Sequence, residues 1–272
     1  MQTLTQIKHL LAERGLRPKR SLGQNFLIDH NLLKKLVGAA NVSPADTILE
    51  VGPGTGALTE ELLARGPRVV ASELDDALAD LLIDRARELP GGERLTIVRG
   101  DCLKSKRELS PDILQALGDR PFKLVANLPY GAATPLLLTL LTSHTRCTLM
   151  AVTIQREVAD RICAKPGTKN YGLLSVLAQA IAEVERLATL PSSCFWPAPD
   201  VSSAMLLIRR RAQPLTADTA ALRALCERLF ATRRKQIGTI LGRTAPLPQG
   251  VTPTMRPEQL TVEQLIELMS LP

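Results

Sequence analysis

No stretch of this 272-residue chain approaches the roughly 18 consecutive apolar residues that a membrane-spanning helix needs. The longest apolar runs are broken by charge, so no membrane partner is expected. The amino terminus lacks an uninterrupted apolar segment with a small-residue cleavage site; Lys8, Glu13, Arg14 and Arg17 are interspersed among apolar residues at helical spacing instead. That pattern predicts no export signal. Cys102, Cys147, Cys163, Cys194 and Cys226 stand singly, in no CxxC pair, and there are only three histidines. Neither a disulfide framework nor a metal site is expected, and a soluble monomer in a reducing cytoplasm fits this usage. There are no internal repeats and no low-complexity segments.

Hydrophobic residues make up 45% and charged residues 22% of the chain, the balance of a protein with a packed core. The net charge of +7 is unevenly spread. Residues 1–35 contribute +5 and residues 209–243 contribute +7, whereas residues 36–208 sum to −3 and residues 244–272 to −2. Basic ends fit a polyanionic partner, because Lys and Arg that neutralise phosphates release counterions. They fit solvated helix faces equally well, and charge alone does not separate the two.

From residue 46 to about 155, apolar strand-like runs alternate with amphipathic helical ones, which predicts an α/β fold with a mostly parallel central sheet. The expected strands are 47–51, 68–72, 95–99, 123–126 and 148–154, with helices over 58–65 and 77–88 between them. Two more runs, 184–190 and 204–209, would extend the sheet on an antiparallel edge. A helical prelude precedes the core. After Arg211 the pattern is helical alone, over 217–231, 233–241 and 257–269, with a loop over 242–254. Two domains are thus expected, 1–211 and a small all-helical 212–272.

Ile48-Leu49-Glu50-Val51-Gly52-Pro53-Gly54-Thr55-Gly56 runs a strand through a glycine turn into a helix. Glycines permit close approach of backbone to a ligand, and the helix amino terminus adds N–H donors. The spacing is G-x-G-x-G rather than the dinucleotide G-x-G-x-x-G, which disfavours NAD. Glu50 is suited to orienting the amino group of a methionine moiety. Glu73, after the second strand, can accept from both hydroxyls of a ribose, and Asp101, after the third, from an adenine amino group. Any one carboxylate taken alone reads more readily as a solvated surface charge than as a ligand contact. Three at the carboxyl ends of successive strands coincide with the place where open α/β sheets bind ligands.

The fourth strand ends in Asn127-Leu128-Pro129-Tyr130. An adenine N6 is a poor nucleophile because its lone pair is delocalised into the ring. If the Asn127 side-chain oxygen and the Leu128 or Pro129 carbonyl accept the two N6 hydrogens, the lone pair is localised and aimed at a sulfonium methyl. No strong base is needed, in keeping with the lack of a convincing catalytic histidine. The other reading is a strand-ending turn with a core tyrosine.

These segments, together with Leu22-Gly23-Gln24-Asn25-Phe26-Leu27, Gln155-Arg156-Glu157-Val158, Tyr171-Gly172-Leu173-Leu174-Ser175-Val176 and Phe195-Trp196-Pro197-Ala198-Pro199-Asp200-Val201-Ser202, carry a resemblance over nearly the whole chain. It resembles the ribosomal RNA adenine N6-dimethyltransferases, which include small-subunit enzymes and erythromycin-resistance methyltransferases. The resemblance implies a Rossmann-like class I methyltransferase fold in which Asn25, Leu27, Gly52, Glu73, Asp101 and Asn127 contact S-adenosylmethionine, beside the Glu50 and Gly54 read above. It also implies that Tyr130 and Phe195 sandwich the target adenine. Two of only seven aromatic residues, Phe195 and Trp196, share one Pro-rich loop, so stacking has physical sense; core packing is the competing role, for Trp196 above all.

Gly-Gln-Asn-Phe-Leu, Gly-Pro-Gly-Thr-Gly and Phe230-Ala231-Thr232-Arg233-Arg234-Lys235 are more similar to the small-subunit branch. That implies N6,N6-dimethyladenosine at two adjacent adenines near the 3′ end of small-subunit ribosomal RNA, made on an assembling subunit. Lys19, Arg20, Arg233, Arg234 and Lys235 are the expected RNA contacts. The last three are placed at a helix start, where their charges oppose the helix dipole and are better explained by phosphate. Gly131-Ala132-Ala133 and Leu173 depart from the family pattern. Two rival readings are a resistance-type large-subunit enzyme and a non-catalytic nucleic-acid-binding factor on the same fold; intact Glu73, Asp101 and Asn-Leu-Pro-Tyr argue against the latter.

Overall fold

The computed structural model describes residues 2–271. In chain order its first elements are α1 (Leu4–Glu13), β1 (Phe26–Leu27), α2 (His30–Ala39), β2 (Thr47–Val51), α3 (Ala57–Leu63), β3 (Arg68–Glu73) and α4 (Asp76–Ala86). There follow β4 (Leu95–Arg99), β5 (Leu103–Ser105), β6 (Glu108–Leu109), α5 (Pro111–Leu117), β7 (Phe122–Asn127), α6 (Tyr130–Ser143) and β8 (Cys147–Gln155). The remainder is α7 (Arg156–Ile162), α8 (Leu173–Ile181), β9 (Ala182–Leu190), β10 (Phe195–Trp196), β11 (Ser203–Arg210), α9 (Thr219–Ala231), α10 (Ile237–Leu241) and α11 (Val262–Ser270).

The central sheet has seven strands in the order β4-β3-β2-β7-β8-β11-β9, and the pairs β4–β3, β3–β2, β2–β7 and β7–β8 are parallel. Ile48, Val69, Val125 and Ala151 point to one face and join a core with Leu33, Leu36 and Val37 of α2 and Leu58 and Leu62 of α3. The alternate residues Leu49, Val70, Leu124 and Val152 are also fully buried. Both faces are therefore covered, which is why these strands read as continuous apolar runs. Successive strands run outward from β2 to β4 in one direction and from β7 to β8 in the other. The order reverses between β2 and β7, and the carboxyl ends of those two strands carry the glycine turn and Asn127.

Chain contacts divide the molecule into two compact units, residues 2–156 with 186–208 and residues 157–185 with 209–271. This division by contacts does not follow the single boundary expected at 211/212. In the second unit α8, α9 and α11 pack on one another, so the 173–181 segment, apolar almost throughout, groups with the carboxyl-terminal helices.

The expected helix over 233–241 begins later, at Ile237. The Ile237 and Gly238 N–H groups donate to the carbonyls of Met255 and Pro253 (2.7 and 2.8 Å), which fixes where that helix can start. Arg233, Arg234 and Lys235 lie instead in the turn after α9, at the negative end of its dipole, where cations are favoured rather than opposed. The dipole argument for phosphate contact there does not hold.

The prelude is anchored by packing. Thr3 and Gln6 form a capping box at the start of α1. Ile7 and Leu11 of that helix then bury against Phe26, Leu78 and Leu81. Ile7→Ala is expected to lower unfolding free energy by about 2–5 kcal/mol, as for other fully buried Ile to Ala changes. Denaturant titration reads this directly, and a loss below about 0.5 kcal/mol would mean that α1 contributes little packing energy.

Candidate active site

The carboxyl ends of β2, β3 and β7 open on a cavity of about 720 Å³, ample for a nucleoside-sized ligand and a second planar group. Its walls hold every expected cofactor residue: Asn25, Leu27, Glu50, Gly52, Gly54, Glu73, Asp101 and Asn127. Leu128, Pro129, Tyr130 and Phe195 line it as well.

Glu50 ends up 1% exposed. Its Oε2 accepts from the Thr59 hydroxyl at 2.8 Å, while its Oε1 is buried with no hydrogen-bond partner among the described residues. Burial, opposed by the Thr59 bond and reinforced by the charge of Glu73, pushes this carboxyl up to about 8. A buried carboxylate oxygen without a donor is costly and calls for a cationic or donor-bearing guest. An α-ammonium group meets that requirement.

Glu73 is held differently. Its Oε2 accepts from the Gly54 N–H and its Oε1 from the Asp75 N–H, both at 3.0 Å. Burial raises its pKa although these backbone bonds pull the other way. Each oxygen keeps a second lone pair, enough for two ribose hydroxyls. Asp101, by contrast, is exposed and accepts from the Leu103 N–H at 2.8 Å.

Gly52 and Gly54 are required by protein as much as by ligand. Both have positive φ, 72° and 57°. A Cβ on Gly52 would lie 2.9 Å from the Pro129 ring, and one on Gly54 would lie 2.6 Å from the Phe26 ring. The glycine turn thus abuts the Asn127–Tyr130 segment directly.

The Asn127 amide is oriented by its surroundings. Its Nδ2 donates to the Asn25 carbonyl at 3.0 Å, and because that partner is a carbonyl the nitrogen must face it, leaving Oδ1 as a free acceptor. The Pro129 carbonyl is already engaged by the N–H groups of Ala132 and Ala133 (3.0 and 3.2 Å) at the start of α6. The Leu128 carbonyl accepts no hydrogen bond among the described residues. Of the two expected backbone acceptors, Leu128 is the available one.

Tyr130 is half-buried and its hydroxyl shares a 3.0 Å hydrogen bond with Ser203. Phe195 is 3% exposed, sits in the core beside α2, and reaches the cavity because β10 pairs with β1, Leu27 opposite Phe195. Trp196 stacks on Phe26 at 6.3 Å between ring centroids and is a packing residue.

The expected RNA contacts divide. Lys19 pairs with the buried Asp75 carboxylate at 2.9 Å, and Gln24 Nε2 donates to the same group at 2.9 Å. Burial raises the Asp75 pKa, but these partners outweigh it and hold the carboxyl below its ordinary value. Lys19 therefore secures the cavity wall and is not a free cation. Arg233 pairs with Glu258 at 3.0 Å. Arg20, Arg234 and Lys235 are exposed and form no ion pair among the described residues.

Leu74 was missed from sequence. It lines the cavity while 52% exposed, an apolar platform directly after Glu73. An apolar residue past a strand-end acid, before the next helix begins, was the available signal.

The chain matches the family model described as ribosomal RNA adenine dimethylase over residues 15–271. It is 40% identical to the ribosomal RNA small subunit methyltransferase A of Streptomyces griseus, over 95% of this chain and 90% of that one. It is 38% identical to the protein of the same name from Geobacillus kaustophilus, over 96% and 93%. Among solved structures, the 23S rRNA methyltransferase ErmE matches 90% of this chain and 98% of its own with TM-score 0.67 and 26% identity. A dimethyladenosine transferase from Plasmodium falciparum has the same fold, with TM-score 0.74 and 21% identity over 88% and 94%.

The Glu50 geometry has a measurable consequence. The folded state holds its proton more tightly than the unfolded chain, so this group's contribution to stability is complete below about 4.5 and lost as pH rises through about 8. Unliganded protein is expected to lose stability between pH 5 and pH 8.5 in urea titrations, and Glu50→Gln to flatten that decline. Superimposable pH profiles for the two proteins would remove Glu50 as its source.

Proposed function

The chain belongs to the ribosomal RNA adenine dimethylase family, and on that premise we propose that it methylates N6 of two adjacent adenosines near the 3′ end of small-subunit ribosomal RNA, giving N6,N6-dimethyladenosine. The methyl donor is S-adenosylmethionine, whose sulfonium supplies an electrophilic methyl group when bound. The observation that carries the reading is the fixed Asn127 amide, whose Oδ1 faces no protein donor beside the unengaged Leu128 carbonyl.

In this reading Glu50 Oε1 receives the ammonium of the donor, Glu73 its ribose hydroxyls, and Leu74 and Asp101 its adenine. Gly52 and Gly54 keep the turn clear. Asn127 Oδ1 and the Leu128 carbonyl then accept the two N6 hydrogens of the target, which restores the lone pair to nitrogen and sets its direction. Tyr130 and Phe195 hold the ring, with stacking worth about 1–3 kcal/mol per base. The proton leaves to water, since an N-methylated aminium is acidic enough to need no protein base. The RNA is taken as that of the small subunit because relatives at 38% and 40% identity over 95% or more of this chain are named for it; that it is met within an assembling subunit is part of the proposal.

Mass spectrometry of nucleosides from small-subunit particles incubated with protein and donor should show N6,N6-dimethyladenosine, and large-subunit RNA should stay unmodified. Asn127→Ala should lower kcat by about 10²–10³, the scale of losing one oriented polar group at a reacting centre. Product on large-subunit RNA alone would favour the resistance-type activity instead.

The carboxyl-terminal basic cluster is now reduced to its unpaired members. Arg234→Ala combined with Lys235→Ala should lower the salt slope of particle binding by about two units and weaken binding to all RNA sequences alike. An unaltered slope in the folded double variant would leave the cluster as a solvated turn.

A further inference from the structure

The cavity carries a charge pattern for which methyl transfer alone gives no role. Its interior is acidic, with Glu50 and Glu73 buried, as suits a cationic donor. A polyanionic substrate would be repelled by such an interior. The β5–β6 hairpin supplies the opposite sign: Lys104, Ser105 and Lys106 line the same cavity and are exposed, which places them at its mouth. In a stretch of chain that sums to −3, this segment has Lys104, Lys106 and Arg107 against Glu108 alone. Lys104 is loosely paired with Glu108 at 3.5 Å, and Lys106 has no ion pair among the described residues.

The hairpin is also held more firmly than its size would allow by itself, because strands of three and two residues are not independently stable. Ser105 pairs with Glu108, and the Ser105 Oγ accepts from the Arg107 N–H at 3.3 Å, which leaves Lys106 and Arg107 at the turn. Leu109 is buried, and the Ser110 N–H closes the base on the Cys102 carbonyl at 2.9 Å. The turn itself is tied to α6, where the fully buried Thr139 donates to the Lys106 carbonyl at 3.4 Å. That helix begins at Tyr130. The backbone of Lys106 is therefore positioned by the element that carries the Asn-Leu-Pro-Tyr turn.

We propose that the β5–β6 hairpin grips the RNA strand at the cavity mouth, with Lys104 and Lys106 on the phosphates that flank the extruded adenosine, and so positions the target base. The inference rests on the reading that the substrate is an adenosine within RNA. A nucleotide turned into the cavity leaves its two phosphates outside, where the strand enters and leaves. Two ammonium groups on an anchored hairpin there neutralise charge without entering the cofactor space. Lys104 and Lys106 are positioning residues, since neither touches the reacting atoms.

The test uses full-length protein, S-adenosylmethionine and small-subunit particles carrying unmodified RNA. Lys104→Gln combined with Lys106→Gln should raise KM for particles about tenfold, reduce the salt slope of binding by about two units, and leave kcat and donor affinity within about twofold. Lys104→Arg with Lys106→Arg should restore KM. If wild-type protein forms dimethyladenosine and the Gln variant keeps its KM and slope, the hairpin is a solvated surface and the proposal fails. A fall in donor affinity would likewise overturn it, by assigning the hairpin to the cofactor. If wild-type protein makes no dimethyladenosine while the Gln variant still loses about two units of slope, the methylation reading fails and the hairpin stands as an RNA contact.

Discussion

Carboxylates that end parallel strands inside an apolar cavity impose conditions on everything around them. Glu50 and Glu73 lie at the floor formed by β2 and β3, and burial opposes the ionised form of both. For Glu73 the protein supplies the remedy, two backbone N–H groups that exist only because the glycine turn and the start of α4 bend toward it. For Glu50 it supplies half a remedy, the Thr59 hydroxyl, and leaves one oxygen without a donor. In the proposed reading that asymmetry serves specificity, since an oxygen buried without a donor favours guests that bring positive charge.

In the proposed reaction the far end of the cavity works by neutral dipoles rather than charge. Asn127 turns its amide nitrogen to the Asn25 carbonyl, and Pro129 commits its carbonyl to the first turn of α6. What remains is one side-chain oxygen and one peptide oxygen on consecutive residues, both fixed by bonds made elsewhere. Pre-set acceptors of this kind need no reorganisation as charge develops on a nucleophilic nitrogen. The chemistry then depends on which atoms are already occupied, a property visible only once every donor has been traced to its partner.

Much of this was legible in the amino-acid sequence. The strands 47–51 and 95–99 are where their apolar runs place them, and 68–73, 122–127 and 147–155 differ from expectation by one residue at most at either end. Strands buried on both faces carry an unbroken signal. Short elements do not: β1, β5, β6 and β10 have two or three residues each, too few for any periodicity, and β1 meets β10 only through tertiary contact. The start of α10 was misplaced because it depends on carbonyls at 253 and 255 rather than on local propensity. Charge was misleading in the same way, since Lys19 and Arg233 look free in sequence yet face acids far along the chain. The residues expected at the cofactor site could be picked out because most of them follow strand ends, and they line one cavity; the hairpin at the cavity mouth has no motif.

The two-residue pairing of β1 with β10 also orders events in time. Phe26 and Leu27 form one wall of the site, and their partners Trp196 and Phe195 lie in the last third of the chain. During synthesis, the glycine turn and Asn127 leave the ribosome long before those partners do. Domains fold as units once their last required segment is available. A nascent chain shorter than about residue 196 therefore lacks the pairing that completes this wall, and the cavity takes its full shape only when most of the chain has been made.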